Sequence, residues 1–148
     1  MEIYNKTIAE IEEEIVGEFG LFDEWEEKYE YIIDLGKKLP ALDEDYKIDE
    51  NRVRGCQSTV YLVANTKDGK IFYEADSDAV IVKGLISMLI RVLSGQTPDA
   101  IIAAQLDFIS QIGMMTHLAQ TRSNGLLAMI KQMKNYALVY KLKTATPA

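Results

Sequence analysis

The stretch STVYLVANTKDGKIFYEADS, residues 58–77, decides the fold. Val60, Leu62 and Ala64 alternate with Tyr61 and Val63, Asp68-Gly69 interrupts, and Ile71, Tyr73 and Ala75 resume the alternation. A period of two rich in β-branched and aromatic residues, on either side of an Asp-Gly pair, predicts an antiparallel hairpin.

Downstream, DSDAVIVKGLISMLIRVLSG is apolar on nearly every side and predicts a central helix lying across the sheet, with Ser77 or Asp76 as cap and Ser94-Gly95 as exit. Thr97 before Pro98 signals a further helix start, and DFISQIG a short helical turn. RSNGLLAMIKQMKNYALVYKLK places Leu126, Ile130, Met133, Ala137 and Tyr140 along one side of a last helix, with lysines gathered toward its C-terminal end, and TATPA reads as a tail. Upstream, Thr7 and Glu10 form a capping box ahead of Ile8, Ile11, Ile15, Val16 and Phe19, and Gly20 stops that helix. Asp23 with Glu26 repeats the start signal before Trp25, Tyr29, Ile32 and Ile33, which share a face until Pro40, so the first two helices are expected as a short-looped pair. Residues 41–51 read as an acidic surface connection, and residues 52–54 as a short extended piece leading to a bend at Gly55-Cys56-Gln57. The sum is α+β, a small antiparallel sheet packed with helices in a single domain over residues 1–148.

The chain has 148 residues, 48% of them hydrophobic and 26% charged, which suits an unaided globular core. Its one cysteine cannot form an internal disulfide, and MEIYNKTIAEIEEEIV lacks the basic, apolar and small-residue succession of a signal peptide, so a cytoplasmic setting is expected. Lys83 and Arg91 break the most apolar segment, which reads as a core helix rather than a membrane span. Residues 1–50 hold 17 acidic and 5 basic residues and residues 51–148 hold 6 and 11, so the net charge of −7 divides into −12 and +5. A chain with no dense basic patch is ill suited to nucleic-acid backbones, and a protein partner is expected instead.

No phosphate-binding loop, dinucleotide fingerprint or zinc-protease helix occurs, and one cysteine with one histidine cannot complete a structural zinc or iron–sulfur ligand set, so no metal and no cofactor of its own is expected. Cys56 is the candidate for chemistry. A free cysteine is commonly only a small buried hydrophobe. Here Gly55 permits a tight bend, Gln57 and Ser58 offer polar groups to the sulfur, and Arg52 and Arg54 are candidate cations for lowering the thiol pKa from about 8.5. His117 could serve as base of a Cys-His pair, or be a helix-flanking histidine satisfied by backbone. Arg122 stands near the start of the last helix, against the local dipole, as a cation with another partner would. Asp76 and Asp78 are first explained as capping and dipole complementation, and the six methionines as core filler.

Taken together, WEEKYEYIIDLGKKLP, VRGCQSTVYL, ADSDAVIVKGLI and HLAQTRSNGLLAMI, spanning residues 25–131, resemble the SufE family of sulfur-acceptor proteins. The resemblance implies a fold similar to that of iron–sulfur scaffold proteins. It implies a SufS-like cysteine desulfurase as partner, itself dependent on pyridoxal phosphate, and a SufBCD-like scaffold complex as receiver. It also implies that Cys56 takes the terminal sulfur of the desulfurase persulfide, stimulating that enzyme. Gly55, Gln57 and Ser58 match the loop around the acceptor, Asp78 and Lys83 the start of the central helix, and His117, Arg122 and Gly125 the block before the last helix. Of these, Asp78 and Arg122 are the candidates for a partner-facing or loop-positioning role, and the resemblance further implies an apolar pocket around the resting thiol.

Two other readings stand beside it: a Cys-His thiol hydrolase, which requires His117 within hydrogen-bond reach of Cys56, and a non-catalytic interaction module in which Cys56 is merely buried. The chain could act as monomer or homodimer, with no nucleic-acid or membrane partner.

Overall fold

In the computed structural model, which describes residues 6–145, Val60–Lys67 (β1) and Lys70–Ser77 (β2) pair antiparallel from Val60↔Ser77 to Lys67↔Lys70. Asp68 and Gly69 turn the corner with φ of 54° and 78°, the two left-handed residues that a tight hairpin matched to strand twist requires. Among the described residues seven α-helices pack around it: Ile8–Phe19 (α1), Trp25–Lys37 (α2), Val80–Leu93 (α3), Pro98–Ala103 (α4), Phe108–Gln111 (α5), Met114–His117 (α6) and Gln120–Ala145 (α7). This is an α+β fold. Residues 146–148, part of the expected tail, lie outside the described residues, while Thr144 and Ala145 continue α7.

The central helix takes its expected place. α3 buries nine of its 14 residues, among them Leu85, Ile86 and Leu89, and packs against α2, β2, α7 and α1. The two sheet edges are both covered. Tyr136 and Tyr140, one turn apart on α7, donate their hydroxyls to the outward carbonyls of Leu62 and Ala64 at 3.0 Å each. On β2, Ile71 exchanges backbone bonds with Gln96 and Gly95, and Tyr73 N–H donates to Ser94 Oγ at 3.0 Å. With these edge groups engaged, less of the hairpin is left as a template for further strands.

The first two helices depart from a simple pair. α2 lies chiefly along α3, and its touch with α1 runs through the ring of Tyr31 against Phe19 and Phe22, at centroid distances of 5.3 and 5.1 Å. Arg91 on α3 closes this corner, donating to Glu18 Oε1 at 2.8 Å and Oε2 at 2.6 Å and to Glu14 Oε1 at 3.3 Å. Its guanidinium holds Glu18 below the ordinary carboxylate value. Burial and the Glu18 carboxylate push the Tyr31 phenol up to about 12.

The local start signals fare unevenly. The Thr7–Glu10 capping box and the Thr97 cap before Pro98 form as expected. For α2 the pattern is shifted by one: Glu27 reaches back to Glu24 N–H, and Trp25 is the first helical residue. For α3 neither Asp76 nor Ser77 is the cap, because β2 runs through Ser77 and the cap position falls to Ala79. Residues 41–51 hold two short 3-10 turns, Glu44–Tyr46 and Asp49–Asn51.

Candidate functional site

Cys56 sits at the tip of a loop whose base is strand-like. Arg52 bridges to Tyr61, and Val53 N–H donates to Val60 O at 2.9 Å, which closes residues 54–59 into a protrusion from the start of β1. Gly55 makes the bend with φ of 93°, a conformation that side chains disfavour, and a Cβ there would also press on Ala128 Cβ at 3.3 Å. Three contacts tie the loop to the helices. Asp78 accepts from Thr59 N–H through Oδ1 at 3.1 Å while its own N–H donates to Thr59 O at 3.3 Å. Arg122 Nη1 donates to Ser58 Oγ at 3.2 Å, and the Cys56 thiol donates to Gly125 O at 3.5 Å.

That last contact lies beside Gly125, where a Cβ would meet Cys56 Sγ at 3.5 Å, an ordinary contact distance, so the thiol rests directly against the helix backbone. The sulfur lines a pocket of about 620 Å³ between the loop and the starts of α3 and α7. Gln57, Ser58, Asp78 and Arg122 supply its polar rim, and Val82, Leu85, Leu126 and Met129 its apolar wall.

The thiol is half-buried, and burial pushes its pKa up, because the thiolate loses hydration that nothing replaces. The expected help from nearby arginines is absent. Arg54 is engaged with Asp49 at 2.7 Å, Arg52 is held in its bridge to Tyr61, and neither lines the pocket. Burial therefore favours the thiol form of Cys56 over the thiolate.

Two further expected residues lie elsewhere. Lys83 pairs with Asp76 at 3.3 Å, and Asp76 also takes Lys47 at 3.0 Å. Burial opposes ionisation of Asp76, yet the bonds from Lys47, Ser77 N–H and Lys83 outweigh it and hold the carboxyl below its ordinary value. His117 is exposed and stacked on Trp25 at a centroid distance of 4.5 Å, its Nδ1 donating to Gly113 O at 2.9 Å, so its ring is committed away from the pocket. Asp76 and Asp78 therefore act as bracing between loop, strand and lysines, and neither caps α3. The resemblance implies an apolar pocket, but of its wall only Leu126 stands out in the sequence, as part of a helix face, although the spacing of Val82 with Leu85 and of Leu126 with Met129 is that of residues one helical turn apart.

The profile of the SufE family, described as an Fe-S metabolism associated domain, matches residues 13–137. An uncharacterized SufE-like protein of Rhizobium meliloti (strain 1021) is 38% identical over 130 residues, covering 84% of this chain and 93% of its own length. Another, of Synechocystis sp. (strain ATCC 27184 / PCC 6803 / Kazusa), is 38% identical over 138 residues, 93% of this chain and 87% of its own. SufE-like protein 1, chloroplastic/mitochondrial, of Arabidopsis thaliana is 39% identical over 132 residues, 88% of this chain but 36% of its own length. The fold matches the solution structure of a hypothetical protein from Thermus thermophilus with a TM-score of 0.71 at 19% identity, covering 86% of this chain and 93% of that one. Among the described residues, no helix is long and apolar enough to cross a membrane.

Proposed function

The chain belongs to the SufE family, and from that premise we propose that it is a cytoplasmic sulfur acceptor for a pyridoxal-phosphate-dependent cysteine desulfurase in iron–sulfur cluster assembly, with Cys56 as the acceptor. The observation that carries the reading is a lone thiol on a projecting loop, half-covered by a pocket and held to Gly125 O by one weak bond.

In the transfer, the Cys56 thiolate attacks the terminal sulfur of the desulfurase's persulfide. A bond forms between Cys56 Sγ and that sulfur as the desulfurase's own sulfur–sulfur bond breaks. The desulfurase cysteine leaves as a thiolate and takes up the proton that Cys56 gave up. Nothing is oxidised or reduced overall, and the rate follows the thiolate fraction and access of the attacking sulfur. The resting site limits both, because burial favours the thiol and the pocket wall covers it. Docking must therefore draw the loop away from Gly125 and expose the sulfur to the partner's charges. The persulfide then passes to a scaffold complex, and removing it from the desulfurase frees that enzyme for its next turnover.

Intact-protein mass after incubation with a SufS-like desulfurase and L-cysteine tests this. Wild type should gain one or more sulfur atoms that reductant removes, and Cys56→Ser should gain none. An unloaded wild-type protein whose thiol still alkylates would defeat the proposal.

A further inference from the structure

Asp78 and Arg122 carry opposite charges on the wall of the pocket that Cys56 lines, yet they form no ion pair with each other or with any other side chain among the described residues. Asp78 spends Oδ1 on Thr59 N–H, and Arg122 spends one N–H on the neutral Ser58 hydroxyl. A carboxylate has about four acceptor positions and a guanidinium five donors, so both keep most of their capacity for something else. The start of α7 reinforces the positive pole, since Ala119 just before the 26-residue helix and Thr121 in its first turn line the same pocket. Two other charged groups of the fold are paired by contrast, Arg91 with Glu14 and Glu18 and Asp76 with two lysines.

A pocket with a positive pole, a negative pole and a sulfur is complementary to a small zwitterion that itself bears sulfur. We propose that it binds a low-molecular-weight α-amino-acid thiol such as free cysteine, its carboxylate at Arg122 and the start of α7 and its ammonium at Asp78, and that this thiol discharges sulfur from Cys56. The proposal rests on the reading of Cys56 as a persulfide acceptor. At about 620 Å³ the pocket falls within the usual range of roughly 300–1,000 Å³ for small-molecule sites. Its wall of Val82, Leu85, Leu126 and Met129 gives a short carbon skeleton an apolar surface beside the two charges.

The step balances without an outside oxidant or reductant. The amino-acid thiolate attacks the terminal sulfur of the Cys56 persulfide, a new sulfur–sulfur bond forms on the small molecule, the bond to Cys56 Sγ breaks, and Cys56 departs as a thiolate. The outgoing product is a free amino-acid persulfide, so the chain could feed a diffusible acceptor as well as a protein one.

The test loads Cys56 with sulfur from inorganic polysulfide, removes the excess, and follows unloading by intact mass. L-cysteine, N-acetyl-L-cysteine, cysteamine and 2-mercaptoethanol are compared, each rate corrected for thiolate concentration and basicity. L-cysteine should unload Cys56 about tenfold faster than the analogue lacking either charge, the size expected for a hydrogen bond to a charged group. Asp78→Asn keeps an acceptor for Thr59 N–H. It should bring the L-cysteine rate down to that of N-acetyl-L-cysteine, lowering it by a larger factor than the 2-mercaptoethanol rate. Equal rates for all four thiols, or an Asp78→Asn variant that slows all four alike, would overturn the proposal. Because polysulfide replaces the desulfurase, the two readings fail separately: selectivity without desulfurase loading upholds the pocket and removes the carrier, and loading without selectivity does the reverse.

Discussion

Gly84 on α3 and Gly125 on α7 are both helical glycines at a close approach, and they serve opposite ends. At Gly84 the space is already taken by backbone: a Cβ would lie 2.0 Å from Ile32 O, and one on the facing Gly36 would lie 2.6 Å from Gly84 N. There α2 and α3 meet main chain to main chain, and neither can give way. At Gly125 the missing Cβ leaves ordinary contact distance to a side chain, the Cys56 thiol at 3.5 Å. One glycine seals the core, and the other makes a seat that a loop can leave. Close packing marks what must not move, and a seat held by one weak bond marks what can.

The comparison breaks most readily at the sealed end. Gly84→Ala should destabilise the fold by about 3 kcal/mol or more, since the clash is with backbone and can be relieved only by separating two helices. Chemical denaturation would show it as a large fall in midpoint, and a midpoint within error of wild type would mean that the α2–α3 approach is looser than the structure has it.

Gly125→Ala should behave the other way. Alanine at this helical position gains about 1 kcal/mol in propensity and meets sulfur at contact distance, so stability should hold or rise. The added methyl further dehydrates the thiol, and iodoacetamide alkylation of Cys56 should slow several-fold at fixed pH. In wild type the alkylation rate should rise with a midpoint above the ordinary thiol value, and in the variant above that again. Loss of stability without slower alkylation would remove Gly125 as the seat of the thiol.

The smallest expected effect is at the α1–α3 corner. Glu18 is held below its ordinary value of 4.5 by Arg91, against the opposing effect of burial and with help from Tyr31. A carboxylate with a depressed folded value contributes stability above its unfolded pKa and loses it as pH falls through the folded one. The thermal midpoint of wild type should therefore drop more steeply than that of Glu18→Gln between about pH 6 and pH 3, with the two slopes indistinguishable above that window. Parallel slopes throughout would show that the Arg91 cluster adds nothing specific.

These contrasts also mark how far the sequence could be read. The hairpin was legible because its information is local: an alternation of two and an Asp-Gly pair whose φ values of 54° and 78° the residue types already favour. So was the Thr7–Glu10 cap, a bond between residues three apart. The cap of α3 was misplaced because β2 continues through Ser77 once paired with Val60, and that pairing is tertiary. The setting of the thiol was not legible for a related reason. Arg52 and Arg54 are its neighbours in sequence, but Asp49 and the β1 bridge hold them away, while its actual neighbour, Gly125, lies 69 positions on.

By itself, then, the chain determined its elements, their apolar faces, and which residue could carry sulfur, all set by short-range periodicity and by the chemistry of a single cysteine. Only the tertiary structure decided that Lys83 and His117 stand apart from the pocket, that burial favours the protonated form of the thiol, and that Asp78 and Arg122 line one space without an ion pair. Charge state and ligand geometry depend on solvent exclusion and on contacts between distant segments, and neither exists until the helices have packed.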